Sequence, residues 1–115
     1  MGLVNRAAIV VKPKQPYLDW TKLDDETGVA EEVFKGMHED PHVFLLPEYE
    51  DDEAQRMILE SVWPILFEEM LEGWLRDESA WPKDRTFAMF NEWFEVQMSS
   101  MVEDLYLDED LGYVD

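Results

Sequence analysis

The residues able to do chemistry gather in a few places. His38-Glu39-Asp40-Pro41-His42 holds the only two histidines of the chain, with two carboxylates between them. Imidazole and carboxylate together are ligands for zinc or another transition metal. Histidines four residues apart share a face only on a helix, and Pro41 argues for a loop leading into a strand. His38, Glu39, Asp40 and His42 are therefore candidate metal ligands without a scaffold, and a solvated loop is the plainer reading. A second cluster, Asp104 to Gly112, offers hard oxygen ligands of the calcium or magnesium kind. Its spacing fails: counted from Asp104, the sixth position of a calcium loop falls on Glu109 rather than on glycine.

Acid–base catalysis needs two carboxyls in different environments that converge on a pocket. Glu68 with Glu72, or Glu92 with Glu95, would serve, but among 28 acids such neighbours arise by chance. No nucleophile–base pair, glycine-rich phosphate loop or dinucleotide fingerprint accompanies them. No catalytic residue is assigned and no cofactor is expected. Of the aromatic residues, most belong in a core. Trp74, Trp81 and Trp93 differ in sitting among charges at the ends of elements, where a partly exposed tryptophan anchors a protein interface. With Glu68 and Glu72 they are the candidate interaction residues.

Charge is the strongest signal. The chain of 115 residues carries a formal net charge of −19. Residues 1–35 hold five bases against six acids, whereas residues 36–115 hold four bases against 22 acids, with none after Arg85. Such a surface repels nucleic-acid phosphates and anionic lipid and attracts basic partners. The bases Arg6, Lys12, Lys14 and Lys22 are too sparse for a nucleic-acid site, and they suit an internal complementary face or half of a self-complementary dimer contact. Cysteine is absent, which excludes disulfides and thiolate chemistry and suits a reducing compartment. The first residues lack the pattern of a signal peptide, and no apolar run approaches the about 20 residues of a membrane span.

These groups need elements to position them. Arg6–Lys12 reads as a buried strand ended by Pro13, and His42–Leu46 as a second strand between Pro41 and Pro47. Between them, Lys14 to Trp20 suggests a brief helical turn started near Pro16. Asp24–Gly36 holds a short helix with Val29, Val33 and Phe34 on one side. Asp51–Arg76 is a long helix: Ile58, Val62, Leu66, Met70 and Trp74 recur every four residues, and Glu60, Pro64, Glu68 and Glu72 fall opposite. Pro64 should kink it. Over 84–106 one long helix competes with three pieces. The alternation of Phe94, Val96 and Met98 with Glu95 and Gln97 favours the pieces. They are a helix near 84–91, a strand near 93–98 and, from a capping box at Ser100–Glu103, a helix near 101–106. The expected fold is α+β, a small three-stranded sheet packed by helices on one face. Residues 1–107 form a single acidic domain in this reading and 108–115 a loose acidic tail, anchored by Leu111 and Tyr113.

The stretches Arg6 with Lys14-Gln15-Pro16-Tyr17-Leu18-Asp19-Trp20, Leu46-Pro47-Glu48-Tyr49 and Trp81-Pro82 with Phe90-Asn91-Glu92-Trp93-Phe94 resemble a family of small, acidic, uncharacterised bacterial proteins. The resemblance implies a bacterial cytoplasmic protein and nothing about mechanism. From the residues themselves, a non-enzymatic interaction module with an acidic surface for a basic protein partner is favoured, in its narrower form a mimic of DNA. It would be a monomer or homodimer, without nucleic-acid or membrane binding of its own. The alternative is a metal-dependent enzyme or metal-binding protein using the His38/His42 loop.

Overall fold

In the computed structural model, which describes residues 2–114, the chain is an α+β structure. Strand β1 (Gly2–Leu3) precedes β2 (Ala7–Pro13), α1 (Gln15–Lys22), α2 (Ala30–Glu39), β3 (His42–Leu46) and the long α3 (Asp52–Glu72). A 3₁₀ turn at Glu78–Ala80, α4 (Phe87–Trp93), β4 (Phe94–Ser99) and β5 (Glu103–Asp104) complete it. The main sheet has three antiparallel strands in the order β3-β2-β4. Ile9 lies between Phe44 and Met98, and Val11 between His42 and Val96.

β2 is central because both its faces are apolar and its backbone can be bonded on both sides. Ala7, Ile9, Val11 and Pro13 are buried on one face. Leu66, Phe67, Met70 and Leu71 of α3, Tyr17 of α1 and Phe90 of α4 pack against that face. The stripe read from α3 is therefore the core stripe, and Pro64 lies on the exposed side. Asp51 caps this helix by accepting from the Ala54 N–H at 2.7 Å, and Asp52 and Glu53 follow in the positive first turn. The helix stops at Glu72 rather than at Arg76. Gly73 is its cap, and the carbonyl of Leu71 takes the N–H groups of both Trp74 and Leu75. The orphaned carbonyl of Met70 accepts the buried Tyr17 hydroxyl at 2.7 Å.

Three further expectations need correction. The helix expected within Asp24–Gly36 starts at Ala30 and runs through Gly36 to Glu39. Its packed side is Ala30 and Met37, while Val29 and Val33 are exposed. Asp25 sets that start: its carboxylate accepts from the N–H groups of Gly28, Val29 and Ala30 at 3.0–3.1 Å. These bonds, the one from Ala30 foremost, hold its carboxyl below the ordinary range.

The helix expected near 101–106 does not form. Glu103 and Asp104 instead pair with Leu3 and Gly2, and Val4 N–H donates to the Val102 carbonyl at 2.9 Å. A helix of fewer than two turns does not hold in water without packing, and this stretch has no buried residue to pack. The Ser99 hydroxyl, not Ser100, takes the local bond, from Met101 N–H at 3.3 Å. The helix expected near 84–91 begins later, at Phe87. Asp84 takes a left-handed φ of 55°, and Thr86 is the cap, its hydroxyl accepting from Met89 N–H at 3.1 Å. The strand near 93–98 forms as β4. In the C-terminal segment, Leu111 lines an open cleft with Val4, Leu45 and Val102 but is itself exposed, as is Tyr113. Met1 and Asp115, the outer ends of the expected domain and tail, lie outside the described residues. Among the described residues no helix is long and apolar enough to cross a membrane.

Candidate functional site: an acidic cleft beside a tryptophan groove

The four candidate metal ligands go to different tasks. His38 lies in the last turn of α2, and its Nε2 donates to the Pro13 carbonyl at 2.6 Å while the ring rests on Phe34. Glu39 faces Lys35 one turn back at 3.8 Å, and Asp40 caps the helix through its backbone. His42 starts β3, stacks on Phe44 with ring centroids 4.3 Å apart, and lines a cleft with Glu69, Glu72, Trp74 and Arg76. Among the described residues no group of three or more histidines and carboxylates is placed to hold a metal ion.

The candidate interaction residues gather more closely. The exposed side of α3 turns Glu68, Glu69 and Glu72 into a cleft of about 260 Å³, closed by Ile65, Arg76, Glu78 and Trp81. Glu68 is already paired with Arg85, Nη2 to Oε1 3.1 Å. The Arg85 guanidinium also donates to the Pro82 carbonyl at 2.8 Å and stands 5.8 Å from the Trp81 ring centre. Three carboxylates (Glu69, Glu72 and Glu78) are left facing one base, Arg76.

Trp81 forms the wall between this cleft and a second one. On its other side lies a groove of about 520 Å³ lined by Pro16, Asp19, Trp20, Leu23, Ala80, Pro82 and Trp93. Folding this groove takes three elements. α1 brings Trp20 and Leu23, the turn after the 3₁₀ segment brings Trp81-Pro82, and the last residue of α4 brings Trp93. Trp20 and Trp93 lie 6.3 Å apart, and Trp93 is backed by Tyr17 and Phe67. The indole N–H groups of Trp20 and Trp81 are spent on the carbonyls of Ala80 and Leu75, at 3.0 and 2.7 Å. Their rings therefore offer apolar surface and fixed orientation, not free donors.

Trp81 itself is only 8 % exposed, so it shapes both clefts from within rather than standing out as an anchor. Trp74 lies apart, half-buried beside His42. Reading the sequence alone missed Trp20, Leu23, Glu69, Glu78 and Pro82. Leu23 could have been suspected, because a leucine just past a short helix and before three acids has little core to enter; it is 84 % exposed. Compared with protein-family models, with curated proteins and with solved structures, the chain matches none. The geometry of the site is what bears on function.

Proposed function

We propose that the protein is a non-enzymatic interaction module that binds a basic segment of a protein partner across the two sides of Trp81. The single observation that carries this reading is the adjacency of the clefts: carboxylates on one side of an indole, an apolar tryptophan groove on the other. A lysine or arginine of the partner would sit among Glu69, Glu72 and Glu78. An apolar residue beside it would enter the groove between Trp20 and Trp93. Arg85 already displays this chemistry within the chain, bound by a carboxylate and a carbonyl over the same indole. The remaining negative charge steers approach without touching the ligand. In the narrower form of the reading, mimicry of DNA, the partner is a nucleic-acid-binding protein. The cysteine-free chain and the resemblance noted above support a bacterial cytoplasmic setting.

The immobilised protein should capture a basic partner from a bacterial lysate at low salt and release it at high salt. The variant carrying Glu69→Lys, Glu72→Lys and Glu78→Lys should capture at least about tenfold less. Equal capture by the variant, or capture unaffected by salt, would remove the acidic cleft from the interface.

A further inference from the structure

Hydrogen-bonding capacity in the tryptophan groove is one-sided. Trp20 and Trp81 have committed their indole N–H groups to carbonyls of the chain. Trp93 has not: among the described residues its Nε1 has no partner, and the atom is not buried. The neighbouring carbonyls are taken. Ala80 accepts from Trp20, Pro82 from Arg85, Trp20 from the Leu23 N–H and Trp93 from the Lys14 N–H. With these four carbonyls occupied and the Trp93 N–H open, the groove suits a ligand that brings acceptors and few donors.

A ligand entering the groove leaves its water behind, and a backbone N–H that finds no new acceptor costs free energy. Proline avoids that cost, because it has no N–H, its ring is apolar and its φ is fixed. A run of prolines forms an extended left-handed helix without internal hydrogen bonds, so its carbonyls stay free to accept. Aromatic-lined grooves take such helices, whose order is set before binding. The other common forms fit less well. An added strand needs a free sheet edge, and this groove is walled by α1, a turn and α4. An α-helix bonds its carbonyls to its own N–H groups and has few left for Trp93.

We infer that the basic segment bound beside Trp81 is proline-rich. Prolines lie between Trp20 and Trp93, one of their carbonyls accepts from the Trp93 N–H, and a neighbouring arginine or lysine reaches past Trp81 to Glu69, Glu72 and Glu78. This rests on the function proposed above and names the class of its partner. A polyproline helix has about three residues per turn, so a base at every third position leaves two prolines per turn for the groove. The charges agree. Asp19 is the one charged residue lining the groove, and beyond Trp81 the open carboxylates face Arg76 alone. Of the other bases, Lys14 is held by the Asn91 carbonyl, Lys22 by Glu31 and Arg85 by Glu68, and Lys83 is followed by Asp84.

Calorimetric titration of the full chain with two nonapeptides of equal charge, repeats of Pro-Pro-Arg and of Leu-Leu-Arg, tests this. Leucine is the more apolar residue, so burial alone favours the second peptide. The first should nevertheless bind about tenfold tighter. Trp93→Phe keeps a ring in the groove and removes the N–H. It should weaken the proline peptide about fivefold and leave the leucine peptide within about twofold. The ratio between the peptides thus falls, which a loss of packing alone would not produce. Leucine binding as tight as proline, or a Trp93→Phe loss shared equally by both peptides, would overturn the inference and leave a basic segment of another kind in the site. Failure of both peptides to bind would overturn it together with the proposed function.

Discussion

Phe67→Ala should lower the unfolding free energy by about 3–5 kcal/mol, the largest effect of any single truncation in this chain. Phe67 is wholly buried. Its ring centre lies 5.3 Å from Phe94, 5.4 Å from Trp93 and 6.1 Å from Phe90, so it joins α3 to both α4 and β4. Arg85 covers it from the solvent side, with its guanidinium carbon 5.8 Å from the ring centre. An alanine there removes the common neighbour of three rings, and those rings are held by their own contacts and cannot all close on the gap. A chain of this length has roughly 6–17 kcal/mol of stability in all, by the usual per-residue range. The urea midpoint should therefore drop by a large fraction of its value with the slope unchanged. A loss below about 1 kcal/mol would mean that the site collapses freely and that the packing described is not what holds the helices to the sheet.

The second large effect is alkaline. Burial pushes the Tyr17 phenol well above its ordinary value, because its charged form would lose water and the only bond available is to an acceptor, the Met70 carbonyl. The sign follows from linkage. The unfolded chain releases this proton near pH 10 and the folded chain holds it, so the stability that the neutral phenol contributes is complete below about pH 10 and is lost above it, at about 1.4 kcal/mol per pH unit. Tyr17→Phe removes the proton altogether. At neutral pH it should cost about 1–3 kcal/mol, because the Met70 carbonyl is left without its partner at the end of α3. Above pH 10 the gap between wild type and variant should narrow, as the wild type alone acquires the penalty. Urea midpoints for both proteins on either side of that pH give the answer. A gap that stays constant would place the phenol in contact with water.

Much of the fold was legible because single elements carried their own punctuation. Pro41 and Pro47 bracket β3, and its bounds are those of the apolar run. The period-two pattern at Phe94–Met98 outweighed a helical alternative, and β4 follows it. The four-residue recurrence from Ile58 to Met70 marked the buried side of α3. What failed depended on partners distant in sequence. Glu103 and Asp104 have no local reason to be strand; they become one because Gly2 and Leu3 arrive beside them. The start of α2 is set by Asp25, five residues before Ala30, and not by the valines.

The candidate site was legible in part for the same reason. Trp81 and Trp93 were singled out by their charged neighbours, and Glu68 and Glu72 by their place on the polar side of α3. Their arrangement depends on Trp20, 60 residues before the Ala80 carbonyl that accepts its N–H. Nothing local marks that pairing. Glu68 shows the converse: the sequence places it with Glu72, and the fold commits it to Arg85.

In the proposed function one basic segment spans the acidic cleft and the tryptophan groove. Titrating the protein with a short peptide of alternating arginine and leucine, with tryptophan fluorescence as the signal, tests it most directly. Binding should be saturable and should weaken as salt rises. It should be about tenfold weaker in the Glu69→Lys, Glu72→Lys, Glu78→Lys protein and in a Leu23→Asp protein, one variant for each side of Trp81. Binding that survives both variants, or fluorescence that the peptide leaves unchanged, would contradict it.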